Sequence, residues 1–157
     1  MRLFLPDEAA TLALGRRLFE FLKPGSLVFL RGTLGAGKTT LVRGLLRAAG
    51  HQGAVKSPTF TLVEEYALPG LTLYHFDLYR LTSPDELEWF GFRDYLRSDS
   101  LCLIEWPERG GDTLPAPDFS IELELDLPGR AATIETAPGG DPELLSEIGS
   151  AAPPGIS

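Results

Sequence analysis

The chain has a single cysteine, a single methionine and only two histidines among its 157 residues. One cysteine excludes an internal disulfide and a cysteine-based zinc cluster. Cys102 lies inside the run Leu101-Cys102-Leu103-Ile104, where it reads as a small buried apolar residue in a reducing compartment. His51 and His75 stand far apart without metal-ligand spacing, so no metal role is assigned to them. No apolar run approaches the ~18 residues of a membrane span. The opening MRLFLPDEAA turns acidic and helical where a secretory leader would continue its apolar core. A cytoplasmic protein without membrane contact is therefore expected. Basic charge is also short, with 14 Lys and Arg against 22 Asp and Glu, for a net charge of −8. The deficit is local: residues 1–110 hold 13 basic and 13 acidic side chains, and the remainder holds one arginine against nine acids. A chain that grips phosphate backbones by itself shows a basic face, because charge neutralisation supplies most of that affinity. Any nucleic acid in its function is thus expected to be held by a partner.

The rest of the composition, 43% hydrophobic and 23% charged, is that of an ordinary globular protein long enough for one domain with a real core. The domain is expected over residues 1–137. Residues 138–157, PGGDPELLSEIGSAAPPGIS, read as a flexible tail with at most one short helix. There is no internal repeat.

Residues 7–22 carry leucines at 14, 18 and 22 behind an acidic start, which predicts an amphipathic helix stopped by Lys23, Pro24 and Gly25. LVFL at 27–30 and LCLIEW at 101–106 are short unbroken apolar runs, the signature of strands buried on both faces of a parallel sheet. TFTLVEEY and LTLYHFDLY flank a Pro-Gly turn and predict an antiparallel hairpin. Ser83, Pro84 and Glu86 form a capping-box pattern, with a helix to follow as far as Arg97 and a break at Gly91. FSIELELDL at 119–127 alternates apolar and acidic residues and predicts a half-exposed strand, paired through Pro128-Gly129 with AATIE. The fold class expected is α/β, a three-layer fold with a mixed parallel and antiparallel sheet.

The segment FLRGTLGAGKTTLVRG follows the first buried strand and opens a helix expected over 38–49. Gly32, four residues, then Gly37, Lys38 and Thr39 match the phosphate-binding loop pattern. Little side-chain bulk at such a turn lets the backbone amides of Gly35, Ala36 and Gly37 converge with those of the helix N-terminus on an anion. Lys38 then places a point charge on β and γ phosphates, Thr39 offers a hydroxyl to Mg²⁺, and Thr40 donates to an α phosphate. ATP and Mg²⁺ are the cofactors this chemistry takes.

Nucleotide hydrolysis also needs an acid opposite the loop. Glu105 ends its apolar strand as a Walker B acid does and is the candidate for catalysis and metal binding, with a solvated strand end as the alternative. Asp77 is a second catalytic candidate, for metal or water positioning, or else a turn cap. Ser57 or Thr59 in SPTFT could sense a γ-phosphate, or the segment could be a stiff turn. Arg80 could act as an internal finger or face solvent, and Trp106 could stack on a ligand or fill core. Arg43 and Arg47 read as a solvated helix face or a docking surface.

GTLGAGKTT, SPTFTLVEEY, HFDLYRL and LIEWPE, in this order and spacing, resemble the bacterial tRNA threonylcarbamoyladenosine biosynthesis ATPases, the TsaE family, over about residues 5–136. The resemblance implies a P-loop ATPase that joins a two-protein complex. Within that complex a partner transfers threonylcarbamoyl from its adenylate to the adenosine next to the anticodon of tRNA. ATP hydrolysis resets the complex, and tRNA is met only through the partners. The resemblance carries functional weight onto Lys38, Thr39, Asp77, Glu105 and Trp106. It also places Arg130, after Gly129, beside the nucleotide. Thr33 stands where the family loop has an acid. A small-molecule kinase is the alternative, but residues 81–100 hold two arginines and no glycine-rich lid. A GTPase would carry an N-K-x-D guanine motif, which the sequence lacks. Slow intrinsic hydrolysis is expected, since no cis arginine is assured.

Overall fold

The computed structural model describes residues 1–33, 35–140 and 142–150. In chain order the elements are β1 (Arg2–Leu5), α1 (Glu8–Phe21), β2 (Leu27–Arg31), α2 (Lys38–Ala48), β3 (Val63–Leu68), β4 (Leu71–Asp77), α3 (Asp85–Phe90), β5 (Ser100–Glu105), β6 (Phe119–Asp126), β7 (Gly129–Thr136) and α4 (Pro142–Ser150). The strands form one seven-stranded sheet in the order β1-β7-β6-β2-β5-β4-β3. β6, β2, β5 and β4 run parallel in its centre, and the flanking pairs β1–β7, β7–β6 and β4–β3 are antiparallel. The fold is thus α/β with a mixed sheet.

Alternation along β2 builds two cores. Val28 and Leu30 face α1 and α2, where they pack with Leu14, Leu18, Leu41 and Leu45. Leu27 and Phe29 face the other way, toward Phe76, Leu87, Phe92 and Ile104. Both faces of the central strand are covered, which is why it reads as an unbroken apolar run. Cys102 lies in the second core, where burial pushes its thiol up to about 11.

Several boundaries differ from the sequence reading. β1 was not expected: four residues give too short an alternation to register, and its pairing partner β7 lies some 130 residues away. β3 begins at Val63, not Thr59, because residues 58–62 form a turn in which Leu62 N–H donates to Pro58 O at 2.9 Å and Leu62 takes φ 70°. α3 is short: Gly91, in the left-handed region, closes it, and a 3-10 turn over Phe92–Tyr95 follows. Its cap is shifted, with Ser83 Oγ accepting from Asp85 N–H at 3.2 Å while Glu86 receives Thr82 N–H at 3.4 Å. Within the segment expected as a tail, α4 packs Leu144 and Leu145 against the first core and buries Ile148. Residues 151–157 of that expectation lie outside the described residues.

Candidate functional site

The carboxyl ends of the parallel strands meet on one side of the sheet, the usual binding edge of such folds. β2 delivers the glycine-rich loop there, β5 delivers Glu105 and β4 delivers Asp77. Asp77 and Glu105 are register partners on adjacent strands, so both side chains leave the same face of the sheet. Thr33, Gly35, Gly37, Lys38, Thr39, Thr40, Ser57, Thr59, Asp77, Tyr79, Glu105 and Trp106 line one open cleft of about 620 Å³.

The loop side of the cleft is built from backbone. Gly35 and Gly37 take φ 82° and 106°, a conformation that strains a side-chain-bearing residue. Ala36 does not line the cleft as expected: it is fully buried in the first core, and its N–H donates to Thr33 O at 3.1 Å inside the loop. Gly37 caps α2 without a side-chain hydrogen bond, and no acid stands in the first turn. The N-terminal amides and the positive end of the helix dipole are therefore left for an anion.

Opposite lies a buried charge chain. Lys38 Nζ is 3.1 Å from Glu105 Oε1, and His75 Nε2 is 2.7 Å from Glu105 Oε2. Burial alone would raise the Glu105 pKa, but the His75 hydrogen bond and the Lys38 ammonium outweigh it and hold the carboxyl below its ordinary 4.5. Lys38 Nζ also lies 5.2 Å from the centre of the Trp106 ring, which in turn packs against Tyr79 at 4.9 Å. Trp106 is not a core residue: it takes φ 56°, only partly buries its ring against the second core, and forms a wall of the cleft.

The 58–62 turn brings the polar loop to the acids. Thr59 Oγ1 donates to Asp77 Oδ2 at 3.0 Å, Ser57 and Thr59 hydroxyls lie 2.8 Å apart, and Asp77 Oδ1 accepts from Tyr79 N–H at 2.9 Å. Asp77 is thus both a turn cap and a cleft residue.

Among the described residues, no group of three or more His, Cys, Asp or Glu side chains could hold a metal by itself. Thr39, Asp77 and Glu105 do line the same cleft. A hydroxyl and two carboxylates suit Mg²⁺, which keeps several waters and takes phosphate oxygens instead of a full protein cage.

Other candidates are placed elsewhere. Arg130 Nη2 donates to Gly35 O at 3.3 Å from the far side of the loop. There it lines a second hollow of about 290 Å³ with Asp7, Thr11, Gly35 and Thr40. Arg80 stacks over Phe60 at 4.2 Å and does not line the cleft. Arg47 is spent on structure, donating to His51 O at 2.9 Å and Gly53 O at 2.7 Å, and Arg43 pairs with Glu8 at 3.6 Å. The sequence reading missed Tyr79 and His75, the latter's one visible signal being a polar residue between Leu73-Tyr74 and Phe76.

The family profile for threonylcarbamoyl adenosine biosynthesis protein TsaE matches residues 5–132. A tRNA threonylcarbamoyladenosine biosynthesis protein TsaE of Haemophilus influenzae is 52% identical over 126 residues, 77% of this chain and 80% of that protein. The TsaE of Bacillus subtilis is 37% identical over 142 residues, 90% of this chain and 87% of its own. The crystal structure of Bacillus subtilis YdiB superposes with a TM-score of 0.78 at 28% identity, over 94% of this chain and 93% of that one. With the glycine-rich loop, the two strand-end acids and the aromatic wall in place, these matches settle the kinship: the chain belongs to the TsaE family of tRNA threonylcarbamoyladenosine biosynthesis proteins.

Proposed function

We propose that this chain is a Mg²⁺-dependent ATPase of low intrinsic rate that acts in the cytoplasm. In this reading its hydrolysis resets a two-protein complex that threonylcarbamoylates the adenosine next to the tRNA anticodon. The observation that carries the reading is the convergence of Lys38, Thr39, Asp77 and Glu105 on one cleft at an uncapped helix N-terminus. The family profile and the names of its relatives supply the pathway.

The backbone amides of Gly35 and of Gly37 to Thr40, all of which line the cleft, cradle the phosphates. An ammonium has three N–H donors, so Lys38 can keep Glu105 and still reach β and γ oxygens. Bound Mg²⁺ neutralises phosphate charge, and Thr39 and the two acids would hold it and its waters. Glu105, ionised and fixed, would orient a water for in-line attack. Asp77 holds the Thr59 hydroxyl, which gives the 57–62 segment a direct link to whatever occupies the γ position. Arg130 and its hollow flank the loop on the side where the nucleoside end lies in this reading. No arginine among the described cleft-lining residues faces the γ position, in keeping with slow turnover until a partner completes the site.

The test is reconstituted tRNA modification with preformed threonylcarbamoyl adenylate, the transfer partners and excess tRNA. Repeated turnover is expected to need both this chain and hydrolysable ATP, and to fail with Lys38→Ala. Undiminished repeated turnover with Lys38→Ala, or phosphorylation of a small acceptor without tRNA, contradicts it.

A further inference from the structure

His75 has no exposed surface and stands mid-strand on β4, opposite Glu64 of β3 and Leu103 of β5. Its Nε2 is 2.7 Å from Glu105 Oε2, and its Nδ1 has no hydrogen-bond partner among the described residues. A contact this short with a carboxylate oxygen, which only accepts, requires a ring hydrogen on Nε2 that is donated to Glu105.

Glu105 is thus held at two points that differ in kind. Lys38 binds Oε1 from a flexible four-carbon stem and also has phosphate to serve. His75 binds Oε2 from a rigid ring set in the sheet. A carboxylate held at one point turns freely about its last torsion, which has broad, shallow wells. Held at two, its plane is fixed.

We propose that His75 is a positioning residue for Glu105: it fixes the carboxylate plane so that Oε1 stays directed at Lys38 and the cleft while Lys38 shares its donors with phosphate. The proposal rests on the reading of Glu105 as the acid that orients the attacking water. His75 touches neither nucleotide nor water and acts through Glu105 alone. A misplacement of about 1 Å at a reacting group costs on the order of 100-fold in rate, so loosening this carboxylate should be visible in kcat.

Gln carries a donor that can reach the place of Nε2, whereas the Asn amide falls short of it. ATP hydrolysis by the full chain, with transfer partners present, is measured for His75→Gln, His75→Asn, Glu105→Gln and His75→Asn/Glu105→Gln, with Mg·ADP affinity read by calorimetry. His75→Asn should lower kcat at least about tenfold while KM and Mg·ADP affinity stay within about threefold. His75→Gln should return to within about threefold of the parent. In the Glu105→Gln background His75→Asn should cost nothing further, since two residues acting as one unit are not additive. Equal loss in the Gln and Asn variants, full kcat in His75→Asn, or multiplying losses in the double variant overturns the proposal. If His75→Asn does not fold, His75→Gln decides: a more than tenfold loss of kcat overturns the proposal, and a loss within threefold supports it. Full kcat in Glu105→Gln would instead remove the reading of Glu105 on which the proposal stands.

Discussion

Glu105 is 4% exposed, and its ionised form is stabilised despite that burial. Burial pushes its pKa up, and the His75 N–H and the Lys38 ammonium pull it down past the starting point, to below 4.5. The sign of the consequence follows from linkage. In the unfolded chain the group takes up its proton near 4.5, and in the folded chain only at lower pH. Its contribution to stability is complete above the unfolded value and is lost as pH falls through the folded one. As pH falls below about 5 the unfolding free energy of the parent should fall more steeply than that of Glu105→Gln, by at most about 1.4 kcal/mol per pH unit. Urea melts of the two chains at stepped pH check this, and parallel curves contradict it. Trp106, the next residue, adopts a left-handed backbone conformation that is uncommon outside glycine and is tolerated chiefly at functional turns. Here it turns the ring over Lys38.

α1 and α2 cross with their backbones in contact. A Cβ on Gly15 would meet Leu41 O at 2.1 Å, and one on Gly44 would meet Leu12 O at 2.2 Å. Because α2 starts at Lys38, this crossing also sets where the phosphate-binding residues stand. Helix propensity alone makes Gly→Ala stabilising by about 1 kcal/mol. The clash with a carbonyl reverses the sign: Gly44→Ala should destabilise the chain by at least about 2 kcal/mol in urea unfolding. A neutral or stabilised Gly44→Ala would mean that the helices can part at little cost.

These glycines also mark the limit of what is legible in sequence. In a single chain a helical glycine looks like a weakness, and only the partner helix makes it a requirement. The central strands, the hairpins, α1 and α2 were readable because their signals are local: apolar runs, period-two alternation, caps and turns. β1 was not, being four residues long and specified by β7 from the far end of the domain. Residues 59–62 were read as the start of a strand because Thr and Phe carry β propensity, whereas the Leu62 conformation is set by its bond back to Pro58. At the cleft, Lys38 and Thr39 were legible as candidates from a contiguous pattern, and Asp77 and Glu105 from strand ends. His75 was invisible as a partner of Glu105 because the parallel register of β4 on β5, which joins residues 30 positions apart, is not written in either segment.

Across the whole molecule the charge is divided. Residues beyond 110 carry nine acids and one arginine, many of them on the β6–β7 hairpin, where Arg2 of β1 pairs with Glu124 and Asp126. Excess negative charge there opposes contact with a phosphate backbone, in line with the proposal that RNA is met through partners. No helix among the described residues is long and apolar enough to cross a membrane. The cleft repeats the balance on a small scale: Asp77 and Glu105 face one Lys38, so a triphosphate entering without a divalent cation meets excess negative charge. Nucleotide binding should therefore depend on Mg²⁺.

The central claim is that the loop from Gly32 through Thr39 holds the triphosphate of ATP together with Mg²⁺. Isothermal titration of ATP into the folded chain tests it most directly, with excess Mg²⁺, with chelator, and with Lys38→Ala. One saturable site with a Kd below about 1 mM in Mg²⁺ is expected, weakened at least about tenfold by the chelator and by Lys38→Ala. No heat of association at millimolar Mg·ATP, or equal affinity in Lys38→Ala, contradicts it.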